Sequence, residues 1–374
     1  MKALGKWIEQ WIRKVLLSLL RVLARSRRSL PAPADINTSK ILFIRQDRIG
    51  DVLISTPLFA SLKNRFPHVV LDVLLSTNNH FVLANSRLVR KRWIYTKRLV
   101  SSFKTLMGIR RERYDFVVDL MDNPSATSTV ILLLSGGKRT VGLKKENAYA
   151  CDIVVPLKSR KESHIVDRIA QLLTVFGIDP IQEELRIQYD VSESSENEVK
   201  GFLKAQGLDS SPLIGLNISA GSETRFWGIM NYRALLDAIR TEHPGATVVV
   251  LSKPSDSARA KDIVNGKEGV ILAPETSFDG FAAWIKRVSL LVTPDTSAVH
   301  LAAAFNVPSV VLYVQSNPEL RIWEPYKTPS ESLISTVDDL TTISVDQVRL
   351  AVQRLLHRDD LPRVLQNHVT PDSR

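Results

Sequence analysis

The stretch Ile41-Leu-Phe-Ile-Arg-Gln-Asp-Arg-Ile-Gly-Asp51-Val-Leu-Ile-Ser-Thr-Pro-Leu58 decides the fold class. Its first four residues are uniformly apolar, the signature of a strand buried on both faces, as in parallel sheets. The run breaks onto Gly50 and Asp51 and continues as an amphipathic helix. Asp51 therefore stands at the mouth of a helix beside a sheet edge, where open α/β proteins place their chemistry. A carboxylate there has a simpler use as well, since the free N–H groups and dipole of a helix start favour an acidic cap.

Working outward, strand and helix patterns alternate. Strands are predicted near 41–46, 69–75, 92–95 and 114–120, with helices near 51–65, 79–86, 99–111 and 125–134. Amphipathic helices follow at 164–176, stopping at Gly177, and at 192–206, and the polar stretch from Gly207 to Pro212 reads as a hinge. The alternation restarts with strands at 213–218, 246–252, 270–272, 289–293 and 309–314 and helices at 230–242, 256–264, 278–287 and 298–305. This is an α/β chain of two similar open halves with parallel sheets covered on both faces. A length of 374 residues with 44% hydrophobic content agrees with two domains of about 150 to 200 residues. The expected divisions are 34–195 and 196–340, facing a central cleft, preceded by a segment 1–33 and followed by a helix and tail over 341–374.

The net charge of +11 is unevenly placed. Residues 1–30 hold eight Lys/Arg against one Glu, leaving 42 basic against 38 acidic residues elsewhere. In that segment Leu4, Trp7, Ile8, Trp11, Val15, Leu19 and Leu23 recur at three- and four-residue steps, with Lys6, Arg13, Lys14 and Arg21 on the other face. Such a helix lies on an anionic membrane surface, and Pro31-Ala-Pro33 links it to the folded part. Its charges leave no run of about 18 to 20 apolar residues for a span, and Arg25, Arg27 and Arg28 stand where a signal peptide would have small residues. The helix could instead pack on the protein body or on a second subunit.

Cys151 is the only cysteine, which excludes an internal disulfide and fits a reducing compartment. The seven histidines, at 68, 80, 164, 243, 300, 357 and 368, show no paired ligand spacing, so no metal and no other cofactor is expected. Asp119 and Asp122, in Asp-Leu-Met-Asp, are read as a strand end.

In the second half the turn Asn217-Ile-Ser219-Ala-Gly221-Ser222-Glu-Thr-Arg225 offers hydroxyls, small residues and a guanidinium, a set that suits a diphosphate. Taken alone it is also an ordinary strand-to-helix loop. A second anion site is read where the strand ending at Pro294 runs into Asp295-Thr296-Ser297 at a helix start, with His300 one turn on, on the same side as Thr296. There too Asp295 reads equally as a cap, and His300 as a polar residue satisfied against the sheet.

In this order, the Asp51 stretch, the Ser219–Trp227 loop and the Pro294–Tyr313 segment resemble glycosyltransferase family 9, the lipopolysaccharide heptosyltransferases. The most specific pieces are Arg48-Ile-Gly-Asp51 with Thr56-Pro57-Leu58, and Asp295-Thr-Ser-Ala-Val-His-Leu-Ala302. The resemblance implies a GT-B fold of two Rossmann-like domains, acceptor on the first and nucleotide sugar on the second. It implies metal-independent, inverting transfer, typically from ADP-heptose. Asp51 would be the general base, Arg225 would stand near the donor phosphates, Thr296, Ser297 and His300 would lie in the diphosphate loop, and Asp256 would contact the ribose. The acceptor would be the anionic inner core of a lipid A precursor at the cytoplasmic face of the inner membrane, steered by Arg48, Lys63 and the basic residues between Arg87 and Arg98. The chain departs from the family pattern at Ser297, at Val314–Asn317 and at Ser252–Pro254, all around the nucleotide pocket.

Two other classes compete with an enzyme. One is a membrane-associated binding protein that keeps the fold without turnover, distinguished by failure to bind any nucleotide sugar. The other, a nucleic-acid binder, fits poorly, because the charge concentrates in an amphipathic helix and not in a groove with stacking aromatics.

Overall fold

The computed structural model describes residue 18 and residues 35–357 apart from 97, 318 and 321. Apart from residue 18, the basic helix expected over residues 1–30 lies outside the described residues, as does the tail after Asp359. The chain forms two units, Met1–Leu185 and Arg186–Arg374.

The first unit holds a six-stranded parallel sheet of β1 (Lys40–Ile44), β2 (Val70–Ser76), β3 (Lys91–Tyr95), β4 (Phe116–Asp119), β5 (Arg139–Leu143) and β6 (Ile153–Val155). Their order is β3-β2-β1-β4-β5-β6, so the chain reverses direction across the sheet between β1 and β4. Ile44 is in register with Leu74 on one side and Asp119 on the other. Ile41 to Ile44 have no exposed surface, as the uniform apolar run requires of a central strand. Helices α1 (Ile49–Leu53), α2 (Thr56–Arg65), α3 (Leu99–Glu112), α4 (Ala126–Leu134) and α5 (Ile165–Ala170) complete the unit.

The single helix expected over 51–65 is two, because Pro57 sits in the first turn of α2 and cannot continue a ladder from α1. The hydroxyls of Ser55 and Thr56 bridge the junction by donating to the carbonyls of Asp51, at 2.8 Å, and Leu53, at 2.7 Å. The helix expected at 79–86 is a single 3-10 turn at His80–Leu83. On α3, Gly108 lies flat against Trp93, where a Cβ would come within 2.6 Å of the indole ring.

The second unit repeats the plan with β7 (Leu213–Asn217), β8 (Thr247–Leu251), β9 (Val270–Leu272), β10 (Leu290–Pro294), β11 (Ser309–Val314) and β12 (Ser330–Ser335). The order β12-β11-β10-β7-β8-β9 is the first sheet's order read from the other edge. Its helices are α6 (Glu193–Ala205), α7 (Ile229–Glu242), α8 (Ser257–Val264), α9 (Phe278–Arg287), α10 (Ser297–Ala304) and α11 (Val345–Leu356). These are the two Rossmann-like units of a GT-B chain. Among the described residues no helix is long and apolar enough to cross a membrane.

The second unit begins earlier than residue 196. Asp279 in α9 accepts hydrogen bonds from the Tyr189 hydroxyl at 2.9 Å and from the Ser192 hydroxyl at 2.6 Å, which ties the segment before α6 to this unit. The stretch read as a hinge is pinned inside it, with Arg287 donating to the carbonyls of Asp209 and Ser211. Helix α11 also belongs here: Val348, Ala351, Val352 and Leu355 are buried in one core with Trp227, Leu235 and Leu236. Arg349 meets Glu242 at 2.7 Å, and the Trp227 indole donates to the Ile343 carbonyl at 2.8 Å. Strands β5, β6 and β12 have no counterpart in the sequence reading. β12, Ser-Glu-Ser-Leu-Ile-Ser, shows no buried-strand pattern and is a strand because β11 pairs with it over six residues.

Candidate active site

In each sheet the order reverses at one point, between β1 and β4 and between β7 and β10, and the crevice outside the carboxyl ends of such strands is where α/β folds bind ligands. The segments singled out in the sequence leave the sheets at these two points. Asp51 follows β1, while the 219–225 turn follows β7 and Asp295 follows β10.

In the first unit, Asp51 is the third residue of α1 and is buried. One carboxylate oxygen accepts the Arg48 backbone N–H at 3.0 Å, and the other lies 3.4 Å from Arg45 Nη2. Arg45, wholly buried, also donates Nε to the Asp51 carbonyl at 2.8 Å and Nη1 to the Leu120 carbonyl at 2.7 Å. Its Nη1 further pairs with Asp47 Oδ2 at 3.2 Å. One guanidinium thus joins β1, β4 and the start of α1. Asn79 holds the loop from the other side, donating to the carbonyls of Arg45 and Asp47.

Asp47 carries the most perturbed carboxyl here. Burial pushes it up to about 6, and the neighbouring Asp51 and Asp119 add to this against the opposing pull of Arg45. Among the described residues its buried Oδ1 has no hydrogen-bond partner, and neither has either polar atom of the buried Gln46 side chain. The strand-end carboxylates are engaged by cations. Asp119 pairs with Lys145 at 2.8 Å, and Asp122 pairs with Arg160 and Arg168 at 3.0 Å each. Of the two basic residues read with Asp51, Arg48 is exposed at the cap. Lys63 is not brought near it: its Nζ donates to the Val69 carbonyl, just before β2, at the amino-terminal end of the strands, whereas Asp51 follows the carboxyl end of β1.

In the second unit Asn217, last in β7, organises the turn. Its Nδ2 lies 2.8 Å from Thr293 Oγ1 and 3.4 Å from Thr296 Oγ1, and its Oδ1 accepts the Ser219 N–H at 3.2 Å. The β7 and β10 loops are thereby fastened together. Arg225, at the end of the turn, reaches Asp295 Oδ2 at 3.4 Å, both side chains half-buried. The β8 loop joins them, since Ser219 Oγ accepts the Lys253 N–H at 2.7 Å and Lys253 Nζ donates to the Ala220 carbonyl at 2.9 Å. Lys253 also pairs with Asp256, the buried residue capping α8, at 3.5 Å. Gly221 and Ser222 lie exposed in the turn, and the Ser222 hydroxyl is 3.1 Å from that of Thr224.

Thr296 caps α10, its hydroxyl accepting the Ala298 N–H at 3.3 Å, and Ser297 opens the helix. His300, one turn on, is buried with its ring 6.4 Å from that of Trp323. Asn217 and Lys253 thus link Ser219, Asp256 and Thr296, and Arg225 joins them through Asp295, the residue before Thr296. The sequence reading missed both connectors, as it missed Arg45, Asp47 and Lys145. A polar or charged residue closing an otherwise apolar strand was the available signal for Arg45 and Asn217.

The profile described as glycosyltransferase family 9 (heptosyltransferase) matches residues 103–344, which takes in the whole 219–313 assembly but not Asp51. Lipopolysaccharide heptosyltransferase 3 of Escherichia coli is 24% identical over 277 residues, 71% of this chain and 80% of that protein. Among solved structures, a family 9 glycosyl transferase from Veillonella parvula superposes with a TM-score of 0.75 at 21% identity, covering 86% of this chain and 97% of that one. An E. coli heptosyltransferase solved with ADP-2-deoxy-2-fluoro heptose superposes with a TM-score of 0.68 at 15% identity, covering 84% and 99%. With a family match over most of its length and two reversed-order parallel sheets in tandem, the chain belongs to glycosyltransferase family 9.

Proposed function

We propose that this glycosyltransferase moves a heptose from ADP-heptose to the inner core of a lipopolysaccharide precursor, with inversion and without a metal ion. The observation that carries the reading is the fixed carboxylate of Asp51 at the first sheet's reversal point, in a chain whose second unit gathers Arg225, Ser219 and Thr296 at its own. The relatives, lipopolysaccharide heptosyltransferases and a heptosyltransferase solved with ADP-2-deoxy-2-fluoro heptose, support the substrate classes.

Inverting displacement needs one base on the face opposite the leaving group. Asp51 takes the proton from the attacking acceptor hydroxyl, held in place by the Arg48 N–H and by Arg45. As the glycosidic C–O bond breaks, negative charge grows on the departing diphosphate. Arg225 and the start of α10 meet that charge, aided by the hydroxyls of Ser219, Ser222 and Ser297 and by His300. Asp256 accepts from the ribose hydroxyls. The inner membrane's cytoplasmic face, where such acceptors lie, is the place of action, with residues 1–30 as one attachment.

The test replaces Asp51 with Asn, which keeps the size and removes the base. Transfer falls by at least about 100-fold, while ADP affinity by calorimetry is unchanged. Equal rates in the two proteins would remove Asp51 from the role.

A further inference from the structure

Strand β3 is an edge of the first sheet, and the chain runs from it into α3. On this face apolar side chains stand in solvent: Val100 is 71% exposed and Phe103 63%, one helical turn apart. Behind Phe103 lies an apolar cavity of about 320 Å³, lined by Leu74, Tyr95, Leu106, Ile109 and Val130 among others. That volume is at the small end of ligand sites. Ser102, also in its wall, has a buried hydroxyl with no hydrogen-bond partner among the described residues. An apolar slot with one unused hydroxyl matches a hydrocarbon chain with a carbonyl at its head.

The charge around the slot says which hydrocarbon. Residues 87–111 contain nine Lys/Arg and no Asp or Glu. Arg90 and Lys91 are paired with Asp72 and Glu112, while Arg98 and Lys104 are exposed next to Val100 and Phe103 in sequence. The basic segment 1–30 would be repelled from such a face, and so would the same face of a second copy. An anionic lipid is attracted, and exposed aromatic and aliphatic residues within a basic cluster provide the paired apolar and electrostatic signals that hold a protein at a bilayer.

We propose that the β3–α3 face docks on an anionic bilayer, with Val100 and Phe103 entering the boundary between headgroups and chains and the cavity seating one acyl chain of a bilayer lipid. This contact is separate from residues 1–30 and does not depend on which sugar is transferred.

The test uses the full chain and vesicles of phosphatidylcholine with or without 30% phosphatidylglycerol. Each cation near an anionic surface contributes about fivefold to binding, so wild-type partitioning rises at least tenfold when phosphatidylglycerol is present. In Phe103→Trp, fluorescence in excess of the wild type is quenched by lipids brominated along the acyl chains. The double variant Val100→Glu/Phe103→Glu, at exposed positions, keeps the wild-type melting curve and partitions at least tenfold more weakly. Binding with no quenching of Trp at position 103 overturns the proposal, as does no binding. Concentration-dependent dimerisation of the wild type that the double variant abolishes also overturns it, by assigning the face to a second copy.

Discussion

Arg45 and Asp51 are joined twice: the guanidinium donates to the Asp51 main-chain carbonyl at 2.8 Å and lies 3.4 Å from its carboxylate, with Arg45 fully buried. The proposed base is thus oriented by a side chain six residues earlier that simultaneously ties down β4 through Leu120. Arg45→Met leaves the Asp47 and Asp51 carboxylates without their shared cation. Losing one partner of a buried pair costs about 3–5 kcal/mol, readable as a lowered urea midpoint. Arg45→Lys keeps the charge but not the fork, so it recovers part of the stability while transfer stays depressed. A loss below about 1 kcal/mol for Arg45→Met would show that the pair is not structural.

Asp47 gives the opposite sign. Its carboxyl is raised by burial, then by Asp51 and Asp119, from 3.8 to about 6. A raised folded-state value means that the fold holds the proton more tightly than the unfolded chain. The contribution is complete below about pH 3.8 and is lost as pH rises through about 6. Asp47→Asn is therefore more stable than the wild type by about 1–3 kcal/mol at pH 8, and the difference vanishes near pH 4. Denaturation at the two pH values checks this, and a variant less stable at pH 8 refutes it.

Arg225, at the β7 turn, reaches Asp295 in the β10 loop. Arg225→Ala weakens ADP binding about tenfold, the equivalent of one charge-assisted hydrogen bond at about 1.4 kcal/mol. Calorimetry with ADP reads this directly, and an unchanged affinity places the diphosphate elsewhere.

Asp279 anchors the start of the second unit. Burial alone would raise its carboxyl, yet hydrogen bonds from Ser192, Ser195 and Tyr189 outweigh that and hold it below its ordinary value of 3.8. A depressed value contributes stability above the unfolded pKa that is lost as pH falls through the folded one. Asp279→Ala costs about 2–3 kcal/mol at pH 7, and the gap to the wild type narrows below pH 3.8. Melting curves at pH 7 and pH 3 decide it.

Much of the fold was legible because buried parallel strands have no polar face. Ile41–Ile44, Leu213–Leu216 and Leu290–Val292 are continuous apolar runs, and each is central in its sheet. Of the four edge strands, β3 and β9 were legible, while β6 and β12 were not, for the converse reason. β12 alternates polar and apolar weakly, and β6 is three residues long; both are strands only because a neighbour supplies the ladder.

For the site the division is similar. Asp51, Arg225 and Asp295-Thr296 could be selected from the sequence because strand ends and helix starts are where open α/β folds expose backbone groups to ligands. What only tertiary structure decided was which of them share partners. Asn217 reaches 76 residues to Thr293, and Arg45 reaches 75 residues to Leu120. Hydrogen bonds between residues so far apart leave no period in the chain, since they depend on sheet order and register. Lys63, which the resemblance groups with Arg48 for the acceptor, sits instead at the start of β2, because the helix Thr56–Arg65 carries it back along the sheet from Asp51.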